Sequence, residues 1–180
     1  MNALLHDMIT LTRLDEKASE YKFEELNVAS VLRKVLNDVS LSAQEKNIRI
    51  VADIPEQMKI QGEASLLYSV FRNILDNAIA YSGADTISIG TETINTHYIF
   101  TITDNGVGVA AEHLPHLFER FYRVDNGRSR ELGGTGLGLA IVKNAVLLHG
   151  GKINAYSATP HGLCIQFSLS IKGHLSLASE

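Results

Sequence analysis

The residues of this chain that could do chemistry gather between Asp104 and Leu139. Asp104-Asn105-Gly106-Val107-Gly108 follows the apolar run Tyr98 to Thr103, so a carboxylate and two glycines stand at a strand end. Gly133-Gly134-Thr135-Gly136-Leu137-Gly138-Leu139 comes directly before Ala140 to His149, a run with helical spacing. Glycines let backbone N–H groups approach a phosphate, and a helix N-terminus adds partial positive charge there. Together the clusters read as two halves of a nucleotide site. Between them lie Leu117-Phe118-Glu119-Arg120-Phe121-Tyr122-Arg123 and the polar segment Val124 to Glu131, which reads as a mobile cover.

A different nucleotide site must be weighed against this. Gly106-Val107-Gly108-Val109-Ala110-Ala111 satisfies the G-x-G-x-x-A fingerprint of dinucleotide-binding folds. That fold also needs a second buried strand ending in an acidic residue. Asp125 stands at a suitable separation, but its segment is charged and contains glycine, so the required strand is missing.

The chain is 180 residues long, enough for one full domain and an appendage. A content of 45% hydrophobic and 20% charged residues fits a globular protein with a sizeable core. A formal charge of -4 gives no long-range attraction for nucleic acid or an anionic membrane, so phosphate recognition must be local. Cys164 is the single cysteine, which excludes an internal disulfide and suggests a reducing, cytoplasmic setting. No apolar run approaches the roughly 20 residues that span a bilayer. Membrane attachment, if any, is expected in a longer parent protein.

The surrounding pattern supplies elements to position these groups. Leu4, Leu5, Met8, Leu11 and Leu14 predict a helix over residues 1–16, marginal if alone. Residues 17–25 lack a core pattern and read as a linker. Asn27 caps a helix to about Lys46, with Val28, Val31, Leu32, Val35, Leu36, Val39 and Leu41 on its buried face. Residues 47–53 read as a strand, with residues 58–61 returning as its partner across Ile54-Pro55-Glu56. Over residues 63–81 a helix buries Leu67, Val70, Phe71, Ile74, Leu75, Ala78 and Ile79, and sets Asn73, Asn77 and Ala80 on the opposite side. Thr86–Thr91 and Tyr98–Asp104 form a hairpin over Asn95-Thr96. A helix from Gly136 to His149 follows, then strands at 152–157 and 163–171. The expected fold is an α/β two-layer sandwich, a mostly antiparallel sheet with helices on one face.

Four segments resemble, in order and spacing, the signature boxes of bacterial sensor histidine kinases. Asn73-Ile74-Leu75-Asp76-Asn77-Ala78-Ile79-Ala80-Tyr81-Ser82 is similar to the N box, and Asp104 to Gly108 to the first glycine box. Leu117 to Arg123 resembles the F box, and Gly133 to Val142 the second glycine box. The likeness covers about residues 20 to 171 and implies the ATP-binding sandwich shared with gyrase, MutL and heat-shock chaperone ATPases. It divides the chain into residues 1–22, the end of a dimerisation helix and a linker; 23–172, the catalytic domain; and 173–180, a tail.

The resemblance implies the following roles. Asp104 accepts from the adenine amino group, where guanine would present a carbonyl, with Gly106 and Gly108 beside it. Asn77 ligates Mg²⁺ through its side-chain oxygen, leaving the other positions to phosphates and water. Asn73 stands where related ATPases typically carry a Glu that activates water; an amide is no base, which favours phosphoryl transfer over hydrolysis. Arg120 and Arg123 meet phosphate oxygens, and Phe118, Phe121 and Tyr122 anchor the lid. Gly134, Thr135, Gly136, Leu137, Gly138 and Leu139 run along the phosphates, and Tyr81 closes the set. ATP and Mg²⁺ are the implied cofactors. The implied partners are a phosphoacceptor helical hairpin and a response-regulator receiver domain.

Two positions depart from the family. Ala80 stands where Lys or Arg is usual, and Leu163 where a Thr near the adenine is common. His6-Asp7-Met8-Ile9-Thr10 looks like the start of a phosphoacceptor box, but Leu11 replaces its Pro. The segment fits the end of the second dimerisation helix better, and no sequence feature fixes it over the ATP site. Other readings to separate from a kinase are a degenerate docking module and a gyrase- or MutL-type ATPase.

Overall fold

In the computed structural model, residues 2–124 and 133–173 are described. Residues 125–131 of the expected cover, Asp125 among them, and the tail beyond residue 173 lie outside the described residues. Helix α1 spans Ala3–Glu16, strand β1 Glu24–Asn27, α2 Val28–Glu45, β2 Arg49–Ala52, β3 Lys59–Gly62 and α3 Ala64–Tyr81. Then come β4 Thr86–Ile94, β5 His97–Asp104, α4 Gly138–Leu148, β6 Ile153–Ser157 and β7 Leu163–Ser170.

Five strands form one sheet in the order β2-β4-β5-β7-β6, with β2 parallel to β4 and every other pair antiparallel. Alternation sets its two faces. Ile89, Ile102 and Ile165 lie in cross-strand register, as do Phe100 and Phe167, and all are buried against the helices. Phe71 of α3 meets Phe100 and Phe167 with ring centroids 5.2 and 5.6 Å away, which ties the central helix to the sheet. On the opposite face the same strands turn Ser88, Thr101, Thr103 and Gln166 outward. The result is the expected two-layer sandwich.

Three expectations fail. Residues 58–61 do not pair with β2: β3 runs antiparallel to β1, with Leu26 opposite Ile60, in a separate two-stranded sheet. The segment read as linker, residues 17–25, therefore ends in the first two residues of β1. Asn27 explains the pairing, since its Oδ1 accepts from Ala29 N to cap α2 and from Met58 N at 2.8 Å. Leu41 leaves the core face of α2 and is 65% exposed. Its place on the helix is taken by Val39 and Ala43, both buried.

Candidate functional site

Helix α3 is the hub of the site. Its C-terminal end touches the first glycine cluster, where Val107 N donates to Ser82 O at 2.9 Å. A Cβ on Gly106 would overlap that same carbonyl, so the loop backbone lies directly on the helix end. Midway along α3, Asn73 Nδ2 donates back to Ser69 O at 2.9 Å, leaving Oδ1 toward Gly138. A Cβ on Gly138 would come within 2.7 Å of that oxygen. Asn73 is thus set against the first turn of α4. Asn77 and Tyr81 follow on the same helix, both half-buried.

Asp104 is the last residue of β5 and shares the helix-covered face with Phe100 and Ile102, which leaves it 5% exposed. Its Oδ1 accepts from Gly106 N at 2.9 Å and from Leu163 N at 3.3 Å. Both bonds use one oxygen, so Oδ2 remains to accept from a ligand. Burial raises the carboxyl's pKa, and the two backbone amides partly oppose that rise. Asn105 fixes the strand end: its Oδ1 accepts from Asp85 N and Thr86 N, and its Nδ2 donates to Asp85 at 2.7 Å. The Asn105 Nδ2 bond, joined by one from the Thr86 hydroxyl, holds the exposed Asp85 carboxyl below its usual pKa.

The phosphate end is built from the second glycine cluster. The Thr135 hydroxyl accepts from Leu137 N at 3.2 Å, and the first bond of α4 runs from Ile141 N to Leu137 O. The amides of the helix's first turn therefore point away from it, as an anion site requires. Gly136 has φ of 74°, and its carbonyl accepts from Phe121 N at 2.8 Å. Phe121 itself adopts φ of 62°. The Arg123 guanidinium donates to Gly134 O and lies against Gly136.

The structure also changes the picture of the lid. Arg120 pairs with Asp15 of α1 at 2.6 Å, and the Thr135 hydroxyl donates to Asp7 of α1 at 2.7 Å. Leu11 and Leu14, 3% and 7% exposed, pack α1 into the core cluster that includes α4. So α1 is held against the two flanks of the lid, at Arg120 and Thr135, a seat that no sequence feature marked. Asp7, Leu11 and Leu14 recur at helical spacing, but their partners are distant in sequence. A groove of about 300 Å³ between α1 and the lid is lined by Asn2, Leu4, Phe121, Arg123, Gly134 and Thr135. Phe121 anchors by its backbone, since the residue is 60% exposed; Phe118 packs against the core, and Tyr122 hydrogen-bonds His113. His161, which the sequence reading left out, donates from Nδ1 to Gly106 O at 3.0 Å.

This geometry joins a buried carboxylate acceptor, a glycine loop and a helix N-terminus around one asparagine-bearing helix, and the comparisons agree with it. Residues 62–173 match the family described as histidine kinase-, DNA gyrase B- and HSP90-like ATPases. The chain belongs to this family. It is 35% identical over 169 residues to the sensor-like histidine kinase SenX3 of Mycolicibacterium smegmatis, covering 93% of this chain and 44% of that protein. To the sensor histidine kinase WalK of Bacillus subtilis it is 31% identical over 176 residues, or 96% of this chain and 29% of WalK. It thus spans less than half the length of these relatives. Among solved structures, the mycobacterial sensor histidine kinase MprB superposes with TM-score 0.69 at 28% identity, over 84% of this chain and 99% of MprB. Full-length ShkA, solved with AMPPNP, superposes with TM-score 0.79 at 25% identity, over 96% of this chain and 36% of ShkA. No helix among the described residues is long and apolar enough to cross a membrane.

Proposed function

We propose that this chain is the ATP-binding catalytic part of a sensor histidine kinase. It transfers the γ-phosphate of ATP to a histidine on a separate dimerisation hairpin, for relay to a response-regulator receiver domain. The observation that carries this reading is Asn73. Its side chain is tied to its own helix and faces the first turn of α4, where an anion is favoured. An amide there cannot take a proton from water, so ATP persists until a better nucleophile arrives. In-line transfer to an imidazole then depends on positioning and charge stabilisation more than on a protein base.

Each residue has a defined part in this reading. Asp104 Oδ2 accepts from the adenine amino group. The backbone N–H groups of Gly138 and Leu139 meet phosphate oxygens, together with Gly134 to Leu137. Arg123, which lies against Gly136, supplies a cation there, and Arg120 joins it once released from Asp15. Asn77 offers one hard oxygen on the face that holds Asn73, and the described residues contain no cluster of three or more carboxylate, His or Cys ligands. That suits Mg²⁺, which takes its remaining ligands from phosphate and water and would offset the charge of the phosphates.

The test is phosphotransfer from γ-labelled ATP to the separately produced acceptor hairpin of the parent protein. The hairpin should gain acid-labile, base-stable label while the chain alone gains none. Rapid phosphate release without labelling would replace this reading with a hydrolysing ATPase.

A further inference from the structure

We propose that His161, in the β6–β7 turn, is a positioning residue for the adenine end of the site. The proposal rests on the assignment of Asp104 to the base. Gly106 follows Asp104 by two residues, and both of its peptide groups are fixed. Its N–H is held by Asp104 Oδ1 at 2.9 Å, and its carbonyl by His161 Nδ1 at 3.0 Å. A carbonyl can only accept, so the imidazole must carry its proton on Nδ1. The carboxylate and the imidazole therefore set the tilt of the glycine loop between them.

The turn that carries His161 is itself seated on the strand end. Ala158 N donates to Gly162 O at 3.0 Å and closes the turn. Gly162 has φ of 115°, a region that L side chains rarely adopt, and a Cβ there would overlap the Asp104 carbonyl. A Cβ on Gly108 would lie 3.0 Å from Gly162 O, so the turn also abuts the far end of the glycine loop. Leu163 N completes the attachment by donating to Asp104 Oδ1. One turn thus touches Asp104, Gly106 and Gly108. Leu163 contributes only backbone to this contact, so the polar side-chain bond from the turn to the loop comes from His161.

Losing the brace leaves the Gly106–Val107 peptide held only through Val107 N, which disturbs the loop surface and, through Gly106, one of the two hydrogen bonds that orient the Asp104 carboxylate. The effect belongs to the base and not to the phosphates, so ATP and ADP should lose affinity by the same factor. Calorimetric titration of the 180-residue chain with each nucleotide tests this, using His161→Ala, His161→Asn and Asp104→Asn. Asn places an amide N–H close to the position of Nδ1–H. His161→Ala should weaken both nucleotides about three- to tenfold, the scale of one hydrogen bond, and His161→Asn should return to within about twofold of the natural chain. Thermal midpoints of the two His161 variants should agree, which separates positioning from folding. Unchanged affinity in His161→Ala alongside a loss in Asp104→Asn would sink the brace and leave the base assignment standing. A loss in His161→Ala that Asn does not rescue would also overturn it, by showing a packing role. Unchanged affinity in Asp104→Asn would remove the base assignment and this proposal together.

Discussion

The proposed role of Asp104 needs an ionised carboxyl at 5% exposure, and the two backbone amides on one oxygen support that charge. Under the proposed function the remaining oxygen makes a charge-assisted bond to the adenine amino group, the kind whose loss costs about 1.5–3 kcal/mol. Asp104→Asn should therefore weaken ATP by about tenfold or more and narrow the preference for ATP over GTP, read by calorimetry with both nucleotides. Gly138 makes a complementary test at the phosphate end. Alanine at this first helical position gains less than the roughly 1 kcal/mol of a helix interior, but its Cβ would sit 2.7 Å from Asn73 Oδ1 and turn that amide aside. Gly138→Ala should shift stability by under about 1 kcal/mol while ATP affinity falls several-fold. Unfolding, or untouched binding, would count against the placement of Asn73. The placement of Asp104 and the glycines was legible in the sequence because residue type and spacing mark a strand end and a helix start. His161 was not, because its significance comes from Gly106, 55 positions away, and a histidine before a turn glycine carries no signal by itself.

Among the elements, the helices and the main hairpin were legible because each buries a face whose period shows in the sequence. The pairing of β3 was not. Four residues fix neither partner nor register, and the deciding bonds come from Asn27, which the sequence marked only as a helix cap. The seat of α1 was hidden for a similar reason, since its amphipathic stripe says that something covers it without saying what. Magnitudes separate the forces that hold it. The Asp15–Arg120 pair is exposed on both sides, with 40% and 48% of the side chains accessible, so it is worth at most about 1 kcal/mol. Leu11 is 3% exposed, and truncating such a side chain costs about 2–5 kcal/mol. Leu5, 52% exposed on the same helix, has little to lose. Urea denaturation should thus find Leu11→Ala strongly destabilised, with Asp15→Ala within about 1 and Leu5→Ala within about 0.5 kcal/mol of the natural chain. The reverse order of Leu11 and Asp15 would mean that charge, and not apolar burial, docks α1.

At the scale of the whole molecule, one buried histidine joins elements that the site depends on. His149 follows the last residue of α4 and is fully buried. Its Nε2 accepts from Glu63 N at 3.0 Å, at the start of α3, so the ring proton must sit on Nδ1, which donates to Ala145 O at 2.7 Å. Phe23, just before β1, stacks on the ring at 4.7 Å. The neutral ring therefore locks α4, α3 and the start of the domain together. A second proton would point at the Glu63 N–H and charge a dry site; burial accordingly lowers the pKa of His149, though the Ala145 carbonyl and the Glu63 carboxylate oppose the shift. With the folded-state pKa depressed, the unfolded chain binds more protons, so stability rises with pH. The contribution is complete above the ordinary histidine value of about 6.5 and is lost as pH falls from there through the folded-state pKa. One such group supplies a slope of at most about 1.4 kcal/mol per pH unit. The raised pKa of Asp104 acts with the opposite sign, favouring the folded state at lower pH, so the comparison needs a variant in which only His149 differs. Urea denaturation of the natural chain and of His149→Gln between pH 8 and about 5 provides it, because Gln offers hydrogen bonds without titrating. The natural chain should be the more stable of the two at pH 8, and the gap should shrink steadily below about pH 6.5. A gap that stays constant with pH would show that His149 keeps its ordinary titration and acts only by packing.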